Sequence, residues 1–552
     1  MMNLKKSLRW LLMSVLLFLS VGQGLQVPLA QAAEVADVQL EIDQDALEEG
    51  LETPGVLRIG MEANYAPFNW SQAEGTDGAV EISNSPGEYA NGYDLQIAKR
   101  LADTLNLDLE IVKLEWDGLP PALESGKIDG IIAGMTPTPE RMEQIDFSEG
   151  YYESDLVLVV RKDSPFAEAK RLDDFAGARV TGQLNTFHYD MIEQIPDVIQ
   201  QTAMDSFPTM IQSVLSDKSD AYVSERPGAM AAVAANDELT FVAFDAGLGF
   251  DTNNADTTIA VGLRKHSPLT GPINQALATI SANERNQLME NMVELNERGG
   301  SLGFWDEVRG IWNTYRPQFM RGIANTMIIA LISTTIGFLI GLIIAIYRSL
   351  PIQRNLANIG YWLYKILDFF VAAYIEIFRG TPMMVQAMLI FYGSKLFFNI
   401  DMTSMSAALL IVSVNTGAYL AEVIRGGIIG VDKGQYEGAK AIGMNHFQTM
   451  VYVVLPQAIR SIMPALGNEF VINIKDTSVL NVIAVAELFF VTKSAAGSTY
   501  LTFQTYFIAS VIYFILTFVT TRVLNWLNNR GEGKANYTVH TSSTMSTEVE
   551  VN

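Results

Sequence analysis

The sequence predicts a two-lobed α/β domain followed by an all-α membrane domain of about five transmembrane helices. The chain has 552 residues, a length that favours more than one domain. Its net charge of −24 is unevenly distributed, because the acidic excess lies between residues 31 and 310. Residues 311–552 are slightly basic and contain the long apolar runs. The first half is therefore expected to be solvated and the second half to lie in a membrane.

Residues 1–32 have the pattern of a secretory signal peptide. Basic residues precede an apolar core, and the small-residue site Ala30–Ala32 follows it. We expect cleavage there, the alternative being an uncleaved anchor, and in both cases the following segment is exported. Residues 33–53 are predicted to be an acidic, solvated lead-in to the first domain.

Composition excludes several classes of site. The chain has no cysteine, so it has no disulfide framework, thiolate metal site or lipid-modified cysteine. Its acidic surface argues against nucleic acid as a partner, because phosphates would be repelled. The four histidines are scattered, and no nucleophile-base pair stands out. We therefore predict no catalytic residues, no metal site and no enzyme activity on this chain.

The second half contains apolar runs near the length that a bilayer requires. One of them is interrupted at Arg379–Pro382 and is counted as one span with a lead-in helix. Five spans place an exported first domain outside and the C-terminus in the cytoplasm, in agreement with the basic residues that follow the first and last spans. The predicted runs cover residues 323–347, 355–397, 404–424, 461–490 and 501–523.

A polar, glycine-containing segment at 437–456, EGAKAIGMNHFQTMVYVVLP, lies between the predicted third and fourth spans. It resembles the EAA loop of ABC-importer permeases, with Gly438 in place of an alanine and Val453 in place of an isoleucine. Two short cytoplasmic helices joined at a glycine would form a knob that docks in a groove of a soluble partner. The residues in register are Glu437, Ala439, Gly443, Leu455 and Pro456.

The resemblance implies that the docking partner is a cytoplasmic ABC ATPase dimer. The chain has no G-x-x-x-x-G-K-[ST] motif, so it cannot hold nucleotide phosphates by a P-loop. We therefore expect no cofactor on this chain and ATP on a separate ATPase subunit. Symmetric assembly favours a homodimer through the permease domain, and pairing with a second, unfused permease is the alternative.

Two further motifs, FRGTP at 378–382 and IKDTSVLN at 474–481, narrow the resemblance to the polar amino-acid uptake branch. The predicted permease domain covers residues 322–528, after a linker at 301–321 and before a cytoplasmic tail at 529–552. This organisation predicts a multi-pass protein of the plasma membrane.

Residues 54–300 alternate between strand-like and helix-like segments, which predicts a sheet in each of two lobes. The order of these segments resembles the solute-binding proteins of the same amino-acid ABC family, a periplasmic-binding-protein-like fold. The segment between Trp70 and Gly92 is rich in Gly, Ser and Glu and is predicted to be a surface loop. The resemblance implies an extracellular domain that binds a free amino acid.

A free amino acid is a zwitterion, so its site needs a fixed cation and a fixed anion. Arg141, just inside a helix opened by Thr138–Pro139, is suited to a bidentate grip on the α-carboxylate. The resemblance assigns it that role and gives the α-ammonium to Glu225, with Asn185 replacing a common glycine in the second-lobe turn. The other residues that it implies are Ala133, Gly134 and Thr136 on the first-lobe turn, Gln183 and Thr186 on the second-lobe turn, and Tyr65 and Trp116 against the ligand side chain.

Glu62 is expected to reach the distal end of the ligand, as the resemblance implies for this position. A carboxylate beside Tyr65 and Trp116 favours a cation, which predicts arginine, lysine or histidine. Glutamine is the alternative, because its amide can also donate to a carboxylate. A ligand-gated channel or a sensor is the alternative of another class. It fits less well, since the binding domain is complete before the first span and only a short tail follows the last.

Three ionisable residues fall in the predicted fourth span: Glu469, Lys475 and Asp476. Each would cost about 2.5–3.5 kcal/mol facing lipid, so we expect them to face the bundle interior or a translocation path. The alternative is a structural pair between Lys475 and Asp476.

Overall fold

The computed structural model describes residues 42–153, 155–245, 247–251, 258–296, 303–350 and 359–531. The predicted signal peptide, the start of the lead-in and most of the tail lie outside these ranges. Within the lead-in, Gln44–Gly50 form helix α1, which Asp43 caps by accepting from the N–H of Ala46.

Lobe 1 is built on a five-stranded sheet. Its strands are β1 (Val56–Met61), β6 (Asp108–Lys113), β7 (Gly130–Ile131), β8 (Asp146–Glu153) and β14 (Thr258–Leu263). Their order is β6-β1-β7-β14-β8, with β1 parallel to β6 and β7 and β14 antiparallel to β7 and β8. The helices of this lobe, besides α1, are α2 (Tyr93–Leu105), α3 (Leu119–Glu124), α4 (Pro139–Gln144), α8 (Thr270–Ala278) and α9 (Ala282–Asn296).

Helix α2 illustrates why these segments are helical. Leu95, Ala98, Leu101 and Leu105 recur every three or four residues, so they form one apolar face, and all four are buried. The helix ends at Asn106, which adopts the left-handed conformation and whose N–H bonds back to Asp103.

Lobe 2 has the same plan on a second five-stranded sheet. Its strands are β9 (Leu156–Arg161), β10 (Arg179–Thr181), β11 (Ile199–Gln200), β12 (Ala221–Glu225) and β13 (Leu239–Val242). They follow the order β11-β10-β12-β9-β13. Its helices are α5 (Phe187–Asp190), α6 (Phe207–Leu215) and α7 (Arg226–Ala235). The chain crosses between the lobes twice, from β8 to β9 and from β13 to β14, and the predicted two-lobed α/β fold is confirmed.

The segment between Trp70 and Gly92 differs from the predicted surface loop. It contributes to a four-stranded sheet of β2 (Asn64–Tyr65), β3 (Asn69–Gln72), β4 (Val80–Glu81) and β5 (Tyr89–Asn91). Glu88 and Ser85 in this segment are buried. Residues 74–78 are exposed, as the prediction of a surface loop requires, whereas Glu88 is covered by the membrane domain, where the hydroxyl of Ser494 donates to it.

The second half of the chain is helical. Its helices are α10 (Phe304–Arg348), α11 (Ile359–Gly380), α12 (Met383–Phe398), α13 (Ser404–Ile429), α14 (Lys433–Ala441), α15 (His446–Thr449), α16 (Leu455–Asp476), α17 (Leu488–Thr499) and α18 (Thr502–Gly531). Among the described residues, four helical segments are long and apolar enough to span a membrane: Phe304–Arg348, Ser404–Ile429, His446–Ile483 and Thr502–Asn528.

The second predicted span, 355–397, is not among the four long apolar helices of the structure. The chain breaks at Gly380–Pro382, as the sequence indicates, into α11 and the 16-residue apolar helix α12. Helix α11 is 22 residues long but carries four charged residues, Lys365, Asp368, Glu376 and Arg379. The predicted fourth span also ends earlier than expected, because Ala484 adopts the left-handed conformation and terminates the helical segment.

The predicted linker at 301–321 is helical from Phe304 onward and continuous with the first span. Ile311, Tyr315 and Phe319 recur every four residues and are buried. They pack against Leu488 of α17 and Ile508 of α18. The amphipathic pattern therefore extends the membrane helix toward the binding domain.

Candidate binding site

A narrow cavity lies between the two lobes of the α/β domain. Lobe 1 supplies the strand ends and turns of one wall, and lobe 2 supplies the turn after β10 and the first residues of α5 and α6. The lining residues are Glu62, Tyr65, Trp116, Ala133, Gly134, Thr136, Arg141, Gln183, Thr186, Phe187, His188 and Phe207. Nine of the ten residues that the sequence predicts for the ligand site line this cavity, and the tenth, Glu225, bonds to one of them.

Arg141 spans the cleft. Its Nη1 donates to the carbonyl of Thr136 in lobe 1 at 2.8 Å, and its Nη2 donates to the carbonyl of Asn185 in lobe 2 at 2.8 Å. Its guanidinium carbon lies 5.2 Å from the ring centre of Trp116. Burial lowers the pKa of Arg141 to about 10, so the group is still a cation at neutral pH.

Asn185 joins the lobes at the rim of the cavity. It has φ +57°, a left-handed conformation that glycine and asparagine adopt more readily than other residues. Its carbonyl also accepts from Nε1 of Trp116 at 3.2 Å, and its side-chain amide donates to Asp117 at 2.9 Å. The replacement of the family glycine by asparagine thus preserves the turn and adds a bond across the cleft.

Glu225, the predicted anion for an ammonium group, ends strand β12 and is 4% exposed. The hydroxyl of Tyr65 donates to it from lobe 1, and Nε2 of His188 lies 2.7 Å from its Oε1. Burial tends to raise the pKa of Glu225, but His188 and these hydrogen bonds outweigh burial and lower the pKa. Glu225 is therefore a carboxylate at neutral pH.

Glu62 is held separately from Glu225. It is 2% exposed, and its Oε1 lies 3.5 Å from the amide nitrogen of Gln183 in lobe 2. Burial, with a contribution from the negative charge of Glu115, raises the pKa of Glu62 to about 8. The site thus brings together the cation of Arg141 and two carboxyl groups with different protonation behaviour, Glu62 in the cavity wall and Glu225 bonded to a lining residue.

The structure adds three lining residues that the sequence did not indicate: Phe187, His188 and Phe207. The ring of Phe207 stacks on Tyr65 at 3.9 Å between centroids. His188 is two residues after Thr186, so its closeness to the predicted second-lobe turn could have indicated that it lines the site. Phe207 comes from the start of α6, where no local motif marks a ligand contact.

The segment at 437–456 forms the predicted pair of short helices. Helix α14 is followed by Gly443 at φ +82°, then by α15, a π-helical turn at Met450–Val454 and α16. Glu437 is exposed and Ala439 is buried. Close to the turn, Ile442, Phe447 and Tyr452 have 75%, 72% and 68% of their surfaces exposed. The arrangement is a projecting knob with an apolar surface.

The three ionisable residues of α16 lie on or near the exterior of the single chain. Glu469 is half-buried, and Lys475 and Asp476 are exposed. The buried polar residue of this helix is Asn473, whose amide donates to Thr334 at 2.8 Å and to Thr416 at 3.0 Å. Lys475 and Asp476 therefore do not face the interior of the chain's own helix bundle, and the alternative expectation, that these charges face a translocation path, stays a prediction.

Comparison with known proteins gives matches to both halves of the chain. Residues 57–293 match the family of bacterial extracellular solute-binding proteins, family 3. Residues 356–532 match the binding-protein-dependent transport system inner membrane component. A crystal structure of the substrate-binding protein of an amino acid ABC transporter is similar at 28% identity and a TM-score of 0.37, covering 44% of this chain and 100% of that one.

Curated relatives match the permease half. The nopaline transport system permease of Agrobacterium fabrum is 34% identical over 225 residues, which are 38% of this chain and 88% of that protein. The glutamine transport system permease of Escherichia coli is 33% identical over 215 residues, 39% of this chain and 93% of that protein. The arginine transport system permease of Bacillus subtilis is 31% identical over 205 residues, 37% of this chain and 88% of that protein. The chain therefore belongs to the amino-acid ABC importers and joins a solute-binding domain and a permease domain in one membrane polypeptide.

Proposed function

We propose that this chain is the substrate-binding and permease subunit of an importer for basic amino acids, namely arginine, lysine or histidine. The observation that carries the proposal is the charge arrangement in the cavity between the lobes. Arg141 supplies one cation, and Glu225 and Glu62 are two buried carboxyl groups with separate partners. A basic amino acid has the complementary set of one carboxylate and two cationic groups.

Each ligand group has a matching residue. The α-carboxylate takes the place of the carbonyl oxygens now bonded to Arg141, since a bidentate charge-assisted pair is stronger than bonds to neutral carbonyls. The α-ammonium binds Glu225, which already accepts from Tyr65. The distal cation binds Glu62 beside the amide of Gln183. Ala133, Gly134, Thr136 and Thr186 supply backbone and hydroxyl contacts, and Tyr65 and Trp116 pack on the side chain.

Glutamine is the second candidate, and the raised pKa of Glu62 favours it. With a pKa of about 8, this carboxyl is mostly protonated at pH 7, so it can donate a hydrogen bond to the oxygen of a neutral amide. A cationic side chain would instead require the deprotonated form. The two candidates therefore differ in whether binding releases a proton.

Two further features support a separate ATPase and a second copy of the permease as partners of this chain. The exposed apolar surface at Ile442, Phe447 and Tyr452 suits a separate ATPase that docks on the knob from the cytoplasm. The exposed charges Lys475 and Asp476 would be costly against lipid, which favours a second copy of the permease covering this face of α16. We propose a homodimer with two ATPase subunits, the binding domain outside and the C-terminus in the cytoplasm.

The test is calorimetry of the full-length protein in lipid nanodiscs against the twenty amino acids. Saturable binding of arginine, lysine or histidine is expected. Binding of glutamine without the basic amino acids would replace the first candidate by the second. If only acidic or small neutral amino acids bind, the proposed role of Glu62 is wrong.

A further inference from the structure

Helix α17 of the permease lies against the binding domain. A side chain could not be added at Gly497, because its Cβ would come within 2.5 Å of the Cβ of Asn64 in lobe 1. The hydroxyl of Tyr500, just after the helix, donates to the carbonyl of Ala66 in the same lobe at 2.9 Å. On the other side, α17 and the start of α18 contact α6 of lobe 2. This short helix therefore touches both lobes of the binding domain.

Lys493 projects from α17 to the boundary between the lobes. Its Nζ lies 2.5 Å from Glu115 Oε2 in lobe 1 and 3.3 Å from Asp205 Oδ2 in lobe 2. The Lys493 side chain is only 10% exposed. Burial alone would lower the pKa of Lys493, but Glu115 and Asp205 outweigh burial and raise the pKa above its usual range.

Both carboxylates are directly connected to the ligand cavity. Glu115 immediately precedes Trp116, which lines the cavity. The backbone carbonyl of Asp205 accepts from the side chain of Gln183, another lining residue, at 3.4 Å. Because the two carboxylates belong to different lobes, a change in the angle between the lobes changes the distance between them.

Within the part of the chain that the structure describes, the other ion pairs between the two domains involve lobe 1 alone. Lys395 of α12 lies 3.7 Å from Glu52, and Lys127 lies 2.8 Å from Asp401 of the permease. These contacts can persist whether the cleft is open or closed. The contact of Lys493 with Asp205, in contrast, joins the permease to lobe 2.

We propose that Lys493 detects closure of the binding domain, because it holds Glu115 and Asp205 together only in the closed cleft. Without Lys493, closure would bring two like charges near each other, which is unfavourable. With the cleft open, the nearly buried ammonium would lose one of its two counter-charges, which is also unfavourable. Docking on α17 and closure of the lobes thus stabilise each other, as linkage requires. The proposal rests on the lobes closing around an amino acid, but its test does not depend on which one.

The test uses the full-length protein in nanodiscs, in which a chemical cross-link between the lobes holds the cleft closed. The chain has no cysteine, so Asp117→Cys and Asn185→Cys, whose native side chains meet across the cleft, can be bridged selectively by a short bifunctional methanethiosulfonate. A reductant releases the bridge. Azidophenylalanine in place of Tyr500 measures docking, as the yield of photo-cross-link to lobe 1.

We expect bridging to raise the cross-link yield about fivefold, at the lower end of typical coupling between sites. Lys493→Gln and Asp205→Asn should each reduce this ratio to about one. Lys395→Gln is the matched control, because its partner is in lobe 1, and it should lower both yields while keeping the ratio. A ratio of one without these substitutions, or a full ratio in Lys493→Gln, would overturn the proposal.

A parallel sample replaces the chemical bridge by saturating L-arginine or L-glutamine. A rise in yield with either amino acid is the expected result. If the bridge raises the yield but neither amino acid does so, the substrate proposal fails while the role of Lys493 stands. If an amino acid binds by calorimetry and neither it nor the bridge changes the yield, the role of Lys493 is refuted while substrate binding stands.

Discussion

Replacing Glu62 by glutamine should separate a cationic ligand from a neutral one through the pH dependence of binding. Burial raises the pKa of Glu62 to about 8 in the cavity, so the carboxyl is neutral over much of the physiological range. A cationic side chain binds the carboxylate and lowers its pKa. Binding of arginine or lysine below pH 8 should therefore release a proton, whereas binding of glutamine should not.

The magnitude follows from the fraction of Glu62 that is deprotonated. With a pKa of about 8, that fraction is about 1% at pH 6 and about 50% at pH 8. The affinity for a cationic ligand should therefore rise by about fiftyfold from pH 6 to pH 8 and then level off. A ligand that requires the protonated form has the opposite sign: it binds best below pH 8 and more weakly as the pH rises through 8.

Glu62→Gln removes this titration. At pH 8 the substitution should weaken a cationic ligand by about 1.5–3 kcal/mol, the range for a hydrogen bond to a charged group. At pH 6 the difference in binding free energy between wild type and variant should nearly vanish. In wild type, Glu62 must first lose its proton two pH units below its pKa, which costs about 2.7 kcal/mol. The quantity to compare is the difference between wild type and the variant, because that difference isolates the contribution of Glu62.

The assay is titration calorimetry of arginine, lysine and glutamine at pH 6, 7 and 8. Each titration is run in two buffers with different ionisation enthalpies, which gives the number of protons released. At pH 6 we expect wild type to release close to one proton for each arginine bound. Glu62→Gln should release none from position 62. An equal proton count in both proteins, or an arginine affinity that does not change between pH 6 and pH 8, would refute the reasoning.

Three further predictions concern other parts of the chain. Arg141→Ala and Glu225→Ala should each weaken ligand binding by about 2–5 kcal/mol, because each substitution leaves a buried partner charge unpaired. The circular dichroism spectrum should be retained. If either substitution lowers the affinity less than threefold, that residue has a structural role instead. Asn185→Ala should lower the stability of the closed domain by about 1 kcal/mol and Asn185→Gly by less, since φ is +57°; equal thermal unfolding midpoints would contradict this. Glu437→Lys and Gly443→Pro should leave ligand binding intact but abolish ligand-stimulated ATP hydrolysis with the partner ATPase, because both alter the knob, and normal stimulation would rule out the coupling role.

Much of the ligand site could be predicted from local sequence. Arg141 follows a Thr-Pro helix start, and Glu225 ends an apolar strand, so each lies in a segment whose conformation is determined by its own residues. Gly443 similarly marks the turn between two short helices, and its positive φ agrees with that interpretation. Most of the residues that line the cavity, and the turn of the knob, were therefore identifiable before their positions in space were known.

The extent of the membrane helices was less predictable. Hydropathy locates the apolar core of the first span but not the preceding amphipathic turns, since Ile311, Tyr315 and Phe319 become buried only against α17 and α18. The segment between Trp70 and Gly92 has the composition of a loop, and its strands form in the presence of neighbouring strands. In both cases long-range packing overrides the local pattern.

The sequence by itself determined the order of the domains, their charge difference, and the side-chain chemistry available for an amino acid, because these depend on residue identity and short-range periodicity. Only the tertiary structure decided the protonation of Glu62, since a pKa depends on burial and on neighbouring charges. It also decided the pairing of Glu225 with His188, because these residues come together only in the folded lobe. The same holds for Lys493, which is 378 residues from Glu115 along the chain. No periodic pattern relates residues at that separation, so folding and docking alone bring the lysine between the two carboxylates.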